Sequence, residues 1–196
     1  MPVLMRIGVS DTGATQDLAG LTPKAVDRVR ARAINTTLKQ VEREGAKVAA
    51  KASGLPSKAA RERFFVERAK PGRPTGSVTV SHKALNLIRF VTGQKPTKRR
   101  PKVGVRAKAW GKRKVYPRTF FMPLRGKGQG RYAVMKRDAG AGRLPIESVW
   151  GPSVYQILRQ TAEDRRLQDF GAMRFGKNLE REFDREQYRA KGRRRR

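Results

Sequence analysis

Cysteine is absent from the 196 residues, and histidine occurs once, at His82. The first absence excludes disulfides, thiolate metal sites and cysteine nucleophiles, and it fits a reducing cytoplasm. His82 has no acidic partner near it in sequence, and a solitary imidazole is more often structural or exposed than catalytic. Acidic side chains are scarce: 16 Asp and Glu stand against 47 Lys and Arg, a formal net charge of +31. In residues 61–140 the acids are only Glu62, Glu67 and Asp138, too few to gather the carboxylates that two-metal phosphoryl chemistry requires. No catalytic triad, P-loop or zinc-ligand spacing is present. The expectation is therefore a protein that is not an enzyme, with no cofactor, metal or small-molecule substrate. No apolar run approaches the roughly 20 residues that span a bilayer. MPVLMRIGVS also lacks the basic start and apolar run of a signal peptide. A soluble or assembled protein made in the cytoplasm, without a membrane partner, is expected.

What the chain has instead is positive charge, and it is concentrated. Residues 61–140 hold 23 basic and 3 acidic side chains, while residues 1–60 hold 10 and 5 and residues 141–196 hold 14 and 8. The middle third is the electrostatic face, and an excess of this size implies a polyanionic partner, either nucleic acid or an acidic protein surface. The hydrophobic share of 37% allows only a modest core. One domain is the default for this length. We read residues 1–20 as an N-terminal arm, 21–190 as a single domain and 191–196 as a disordered arginine tail.

Met5 to Val9 reads as a short strand. Thr22-Pro23 offers a hydroxyl cap and a proline at the first helical position. Apolar residues from Val26 to Val48 then recur at helical spacing, and Gly54-Leu55-Pro56 is a strong stop. This predicts a long helix to Ser53. Ser57 is read as the cap of a second helix, SKAARERFFVERA, with one of Phe64 and Phe65 in the core and Phe65 a candidate subunit contact. Thr75 to Ser81 alternates as a half-buried strand. The run Lys95–Lys114 holds ten basic residues and no acid. Within it Val103, Val105, Ala107 and Ala109 should form an inner face, with Lys102, Arg106 and Lys108 outside. Arg118–Leu124 and Arg131–Arg137 bracket RGKGQGR as a hairpin with a basic tip. The glycine spacing of that tip lacks the strand-turn-helix setting of a phosphate-binding loop. After Asp138–Gly142 turns the chain, Leu144-Pro145-Ile146 should be extended, and Ser153 should cap a helix starting at Val154. Gly171 and Gly176 are expected to break that helix. Phe175, Leu179 and Phe183 give it an apolar stripe that needs a partner, which makes them candidate subunit contacts.

The order of four short strings makes the chain recognisable: Ala33-Ile34-Asn35, Val134-Met135-Lys136-Arg137, Arg143-Leu144-Pro145-Ile146 and Gly151-Pro152-Ser153-Val154. From about Ala33 to the C-terminus the chain resembles the prophage minor tail protein Z family, the lambda-like phage tail completion proteins. The first 20 residues and the arginine tail lie outside that resemblance. It implies an α+β subunit: a long N-terminal helix and a C-terminal helix packed on a small, mainly antiparallel β-sheet. It also implies a virion component at the neck, where the head-proximal end of the tail is completed and joined to the head. Partners would be further copies of the chain in a ring, six by the usual tail symmetry, together with the tail terminator and the neck and head-completion proteins.

The residues themselves nominate a contact surface for phage DNA or acidic neighbours: Lys98, Arg99, Arg100, Lys102, Arg106, Lys108, Lys112, Arg113, Lys114, Arg125, Lys127 and Arg131. Few aromatics are interleaved, which suits phosphate contact better than base stacking. DNA binding would then be sequence-independent and steeply salt-dependent. A free nucleic-acid-binding protein of ribosomal or chromatin type explains the charge equally well, but not the ordered strings.

Overall fold

A computed structural model describes residues 21–96, 101–124, 132–137 and 144–193, together with the backbone of 5–10. Helix α1 (Pro23–Ser53) is the spine. Thr22 leads into it in an extended conformation with Pro23 in its first turn, but the Thr22 hydroxyl makes no capping bond. Gly54 closes it at φ 73°, where its N–H donates to the carbonyl of Ala50 at 2.8 Å. Glycine takes that left-handed conformation without the Cβ penalty.

Strands β1 (Met5–Ser10), β2 (Phe64–Glu67) and β3 (Thr75–Val80) form an antiparallel sheet in the order β1-β3-β2. The strand expected at Met5 to Val9 is thus present. The expected second helix is mostly not: α2 covers only Ser57–Arg61, with Pro56 rather than Ser57 at its cap position. The next residues are strand because β3 offers a ladder, with Phe64 opposite Val80 and Val66 opposite Val78. Strand alternation also separates the two adjacent phenylalanines, so Phe64 is buried while Phe65 is 58% exposed. Gly45 of α1 admits the Phe64 ring, which a Cβ there would meet at 2.8 Å. Gly76 of β3 gives the same room to Leu38, at 2.7 Å. β3 is more deeply buried than a half-buried strand, since Ser77 is also enclosed.

The remaining strands form two further antiparallel sheets, where one was expected. β4 (Val105–Ala107) pairs with β5 (Lys114–Tyr116), and β6 (Thr119–Pro123), β7 (Tyr132–Arg137) and β8 (Ile146–Ser148) form the third in that order. β6 and β7 are the hairpin read from the sequence, and its tip at residues 125–131 lies outside the described residues. A short 3₁₀ turn, Leu87–Phe90, fills the space between the sheets and buries Leu87 and Phe90 completely.

Ser153 caps α3 (Val154–Gln160) in a capping box: its hydroxyl accepts from Gln156 N at 3.1 Å, and Gln156 Oε1 accepts from Ser153 N at 3.1 Å. α4 (Glu163–Arg193) follows after Ala162, which turns the chain at φ 53°. The break therefore falls at Ala162, not at Gly171 or Gly176. Gly171 serves close approach instead, because a Cβ there would stand 3.3 Å from Val41 of α1. α4 continues through Arg193, and the last three arginines lie outside the described residues.

α1 and α4 pack as an antiparallel pair. Arg28 and Arg32, early in α1, meet Glu186 late in α4, while Gly45 approaches Leu167. One continuous apolar core joins α1, α3 and all three sheets through Ile34, Leu38, Val78, Phe90, Val105 and Val134. A satellite cluster sits between Val29 and Ala33 of α1 and Leu179 of α4, with Phe175 and Phe183 packed against it. The fold is α+β, with the two long helices on small antiparallel sheets.

Candidate cationic interface

The expected cationic strand is shorter than its sequence alternation suggests. Gly104 sits at φ +108°, which ends the extended segment before β4 begins. Val103 is left 68% exposed rather than on the inner face, and Ala109 is buried in a 3₁₀ turn rather than in the strand. Val105 and Ala107 do face inward. On the outer side Arg106 lies opposite Val115 of β5. Lys108 is only half-exposed, and its backbone N–H donates to Phe90 O at 2.8 Å.

A strap at residues 91–94 completes this small sheet. Thr92 N donates to Arg106 O at 3.4 Å, and Gln94 Oε1 accepts from Arg106 N at 2.7 Å. The Arg113 guanidinium donates to Thr92 O at 3.4 Å, which ties the β4–β5 turn to the strap. Neither Thr92 nor Gln94 stands out in the sequence, because an amide that closes a strand edge carries no local pattern.

Arg106, Lys112, Arg113 and Lys114 are exposed on the β4–β5 hairpin, which also carries the half-exposed Lys108, so five of the twelve nominated cations share it, and Lys102 is exposed just ahead of it. Lys102 and Arg118 flank an open cleft of about 450 Å³ beside Gly104 and Pro117. Lys98, Arg99, Arg100, Arg125, Lys127 and Arg131 lie outside the described residues. No Asp or Glu occurs between Glu67 and Asp138, so the hairpin has no carboxylate of its own stretch to neutralise it. The Tyr116 hydroxyl beneath it is pushed by burial above its ordinary range, so it stays a neutral phenol.

The helical cations differ. Arg32 and Arg28 reach Glu186 at 2.9 and 3.2 Å, and Arg61 reaches Glu42 at 2.7 Å. Burial pushes the Glu186 carboxyl up, but the hydrogen bond and charge of Arg32, with those of Arg28, outweigh it and hold the group below the usual carboxylate range. These cations are spent inside the subunit.

The candidate subunit contacts divide. Leu179 is buried, and Phe175 and Phe183 pack beside it on α1, so the apolar stripe finds its partner within the chain. Phe65 alone of the four is an exposed side chain. His82 is exposed just beyond β3. Among the described residues no group of three or more metal-ligating side chains is brought together, and no helix is long and apolar enough to cross a membrane.

Three of the four short strings that mark the sequence prove to be joints. Asn35 clamps the chain after β2, donating to Ala69 O at 2.9 Å and accepting from Ala69 N at 2.9 Å. Val134 is held by Asn86, whose Oδ1 accepts from its N–H at 3.0 Å and whose Nδ2 donates to its carbonyl at 3.3 Å. Ser153 is the cap described above.

The fold is thus an α+β subunit in which Arg28, Arg32 and Arg61 pair with carboxylates of the same chain, while the β4–β5 hairpin exposes cations. The sequence profile of the prophage minor tail protein Z (GPZ) family matches residues 10–191, and the chain belongs to that family. It is a bacteriophage minor tail protein and thereby a component of the virion. The match begins well ahead of Ala33 and takes in part of the N-terminal arm. No curated protein and no solved structure matches the chain.

Proposed function

We propose that this protein completes the head-proximal end of the tail and joins it to the head. Copies of the chain form a ring, six by the usual tail symmetry, which docks on the tail terminator and the neck proteins. The cationic hairpin faces either the DNA channel or acidic neighbours. A closed ring uses one heterologous contact repeatedly, and Phe65 at the β2 edge is available for it. The observation that carries the reading is the β4–β5 hairpin of a phage tail protein, where four exposed cations stand in a stretch without a carboxylate.

The test is replacement of Lys112, Arg113 and Lys114 by glutamine in the phage. All three are exposed, and the one internal bond removed is the long surface contact of Arg113 to Thr92 O at 3.4 Å, so the subunit should still fold and accumulate, which a thermal melt of the purified variant checks. Head–tail joining or DNA ejection should fall, with infectious titre reduced by about tenfold or more. Full infectivity would sink the assignment. A monomer that binds bare DNA with steep salt dependence, and is missing from particles, would favour the nucleic-acid-binding reading instead.

A further inference from the structure

Among the described residues three that are not glycine have a positive φ, and two of them bracket β5: Trp110 before it and Arg118 after it, both at φ 59°. Trp110 and Gly111, at 59° and 71°, form the consecutive left-handed pair in which a hairpin ordinarily places Asn-Gly. Pro117-Arg118 turns the chain from β5 to β6, and Arg118 holds the positive φ that such turns usually give to glycine. A side chain in this region costs free energy that glycine avoids, and residues so held gather at functional sites. Both side chains are exposed, Trp110 at 48%.

The hairpin presents them on a fixed backbone. A Cβ on Gly111 would stand 2.9 Å from Ala52 O of α1, and one on Gly54 would stand 3.0 Å from Lys108 Cδ, so the tip is seated on the end of that helix. A surface held in place before it binds loses little freedom on binding.

Apolar side chains alternate with the cations along it. Val115 is 43% exposed and shares the outer face with Arg106, its cross-strand partner. Val103 is 68% exposed and lines the cleft flanked by Lys102 and Arg118. This mixture discriminates between partners. A DNA duplex offers phosphates to the cations but leaves Trp110 and both valines against water. A single strand would stack a base on Trp110 and still leave the valines uncovered. A second copy, with 47 basic against 16 acidic side chains, is a poor source of carboxylates. A protein surface with an apolar pocket among carboxylates satisfies both kinds of side chain, and Trp and Arg are the residues that dominate such contacts.

We infer that the hairpin docks an acidic virion protein other than this chain, with Trp110 as the anchor in an apolar pocket, Val115 beside it and carboxylates on Arg106, Arg113 and Arg118. The inference rests on the proposed use of the hairpin as a contact surface and chooses between its two partners. It needs neither the ring nor the neck position.

The experiment places a photo-crosslinking side chain at Val115 or, as control, at Gln168 on the exposed side of α4, in cells producing the whole particle. Position 115, but not 168, should give an adduct with one virion polypeptide, and the linked peptide should hold Asp or Glu among apolar residues. Trp110→Gly should lower that yield about tenfold or more, while Trp110→Phe should largely retain it. Glycine takes the left-handed conformation freely, so the purified Trp110→Gly chain should melt close to the wild-type temperature. A large fall in melting temperature together with loss of the adduct would make Trp110 a packing residue and overturn its role as anchor. A nuclease-sensitive adduct would give the hairpin to DNA and overturn the inference, as would an adduct to a second copy, or none in cells that contain the folded protein. The identity of the partner is read separately: an acidic tail protein remote from the neck would leave this inference standing and count against the head-proximal reading alone.

Discussion

Asn35 is a small residue with a large structural task. Its amide donates to the carbonyl and accepts from the N–H of Ala69, and so fixes the chain that leaves β2 against α1. Asn35→Ala would leave that buried N–H and carbonyl unmatched, at a cost of about 1–3 kcal/mol in a denaturant-unfolding measurement. Asn178 acts similarly in the α1–α4 seam, donating to Thr37 Oγ1 at 2.9 Å and to Gln40 Oε1 at 3.1 Å. Glu186 links stability to acid. Its carboxyl is held below the ordinary range in the folded protein, so the stability it contributes is present above the unfolded value near 4.5 and is lost as pH falls through the lowered folded value. Unfolding titrations of wild type and Glu186→Gln should differ at neutral pH and converge in acid. Because Arg28 and Arg32 are partly exposed, the difference should stay below about 1 kcal/mol. A constant difference down to low pH would contradict this sign.

At the scale of elements, legibility follows how local the physics is. Both ends of α1 are legible because Pro23 and Gly54 are local conformational statements, and the start of α3 is legible from Ser153 for the same reason. The β6–β7 hairpin is legible because two alternating strands bracket a glycine-rich tip. β2 reads as helix in the sequence because its conformation is set by a partner: Phe64–Glu67 follows directly on helix α2 and becomes strand only beside β3. Gly171 reads as a break because the sequence records a missing Cβ, not whether the space is used for a kink or for Val41. The apolar stripe of α4 is plain in the sequence, but its cover is α1 rather than another subunit. Of the candidate site, the charge is legible from composition alone. Its display on a short hairpin tied down by Thr92 and Gln94 is not, since those bonds join residues distant in sequence. If the hairpin meets DNA, the Lys112, Arg113 and Lys114 glutamine variant should lower the log–log salt slope by about 0.9 for each phosphate it no longer neutralises. An unchanged slope measured by DNA titration would assign those cations to protein neighbours.

For the molecule as a whole, the charge is divided by use. Ion pairs join α4 and α2 to α1, whereas Arg106, Lys112, Arg113 and Lys114 of the middle third turn outward. The β4–β5 hairpin is where the described residues expose that charge most densely. An exposed cationic surface suits the head-proximal position proposed for the subunit. The direct test of that position is electron microscopy of a lysate from phage lacking this gene, complemented in parallel with the wild-type chain. The account predicts defective tails, or tails unattached beside filled heads, with normal particles restored by complementation. Normal infectious particles without the gene would contradict it.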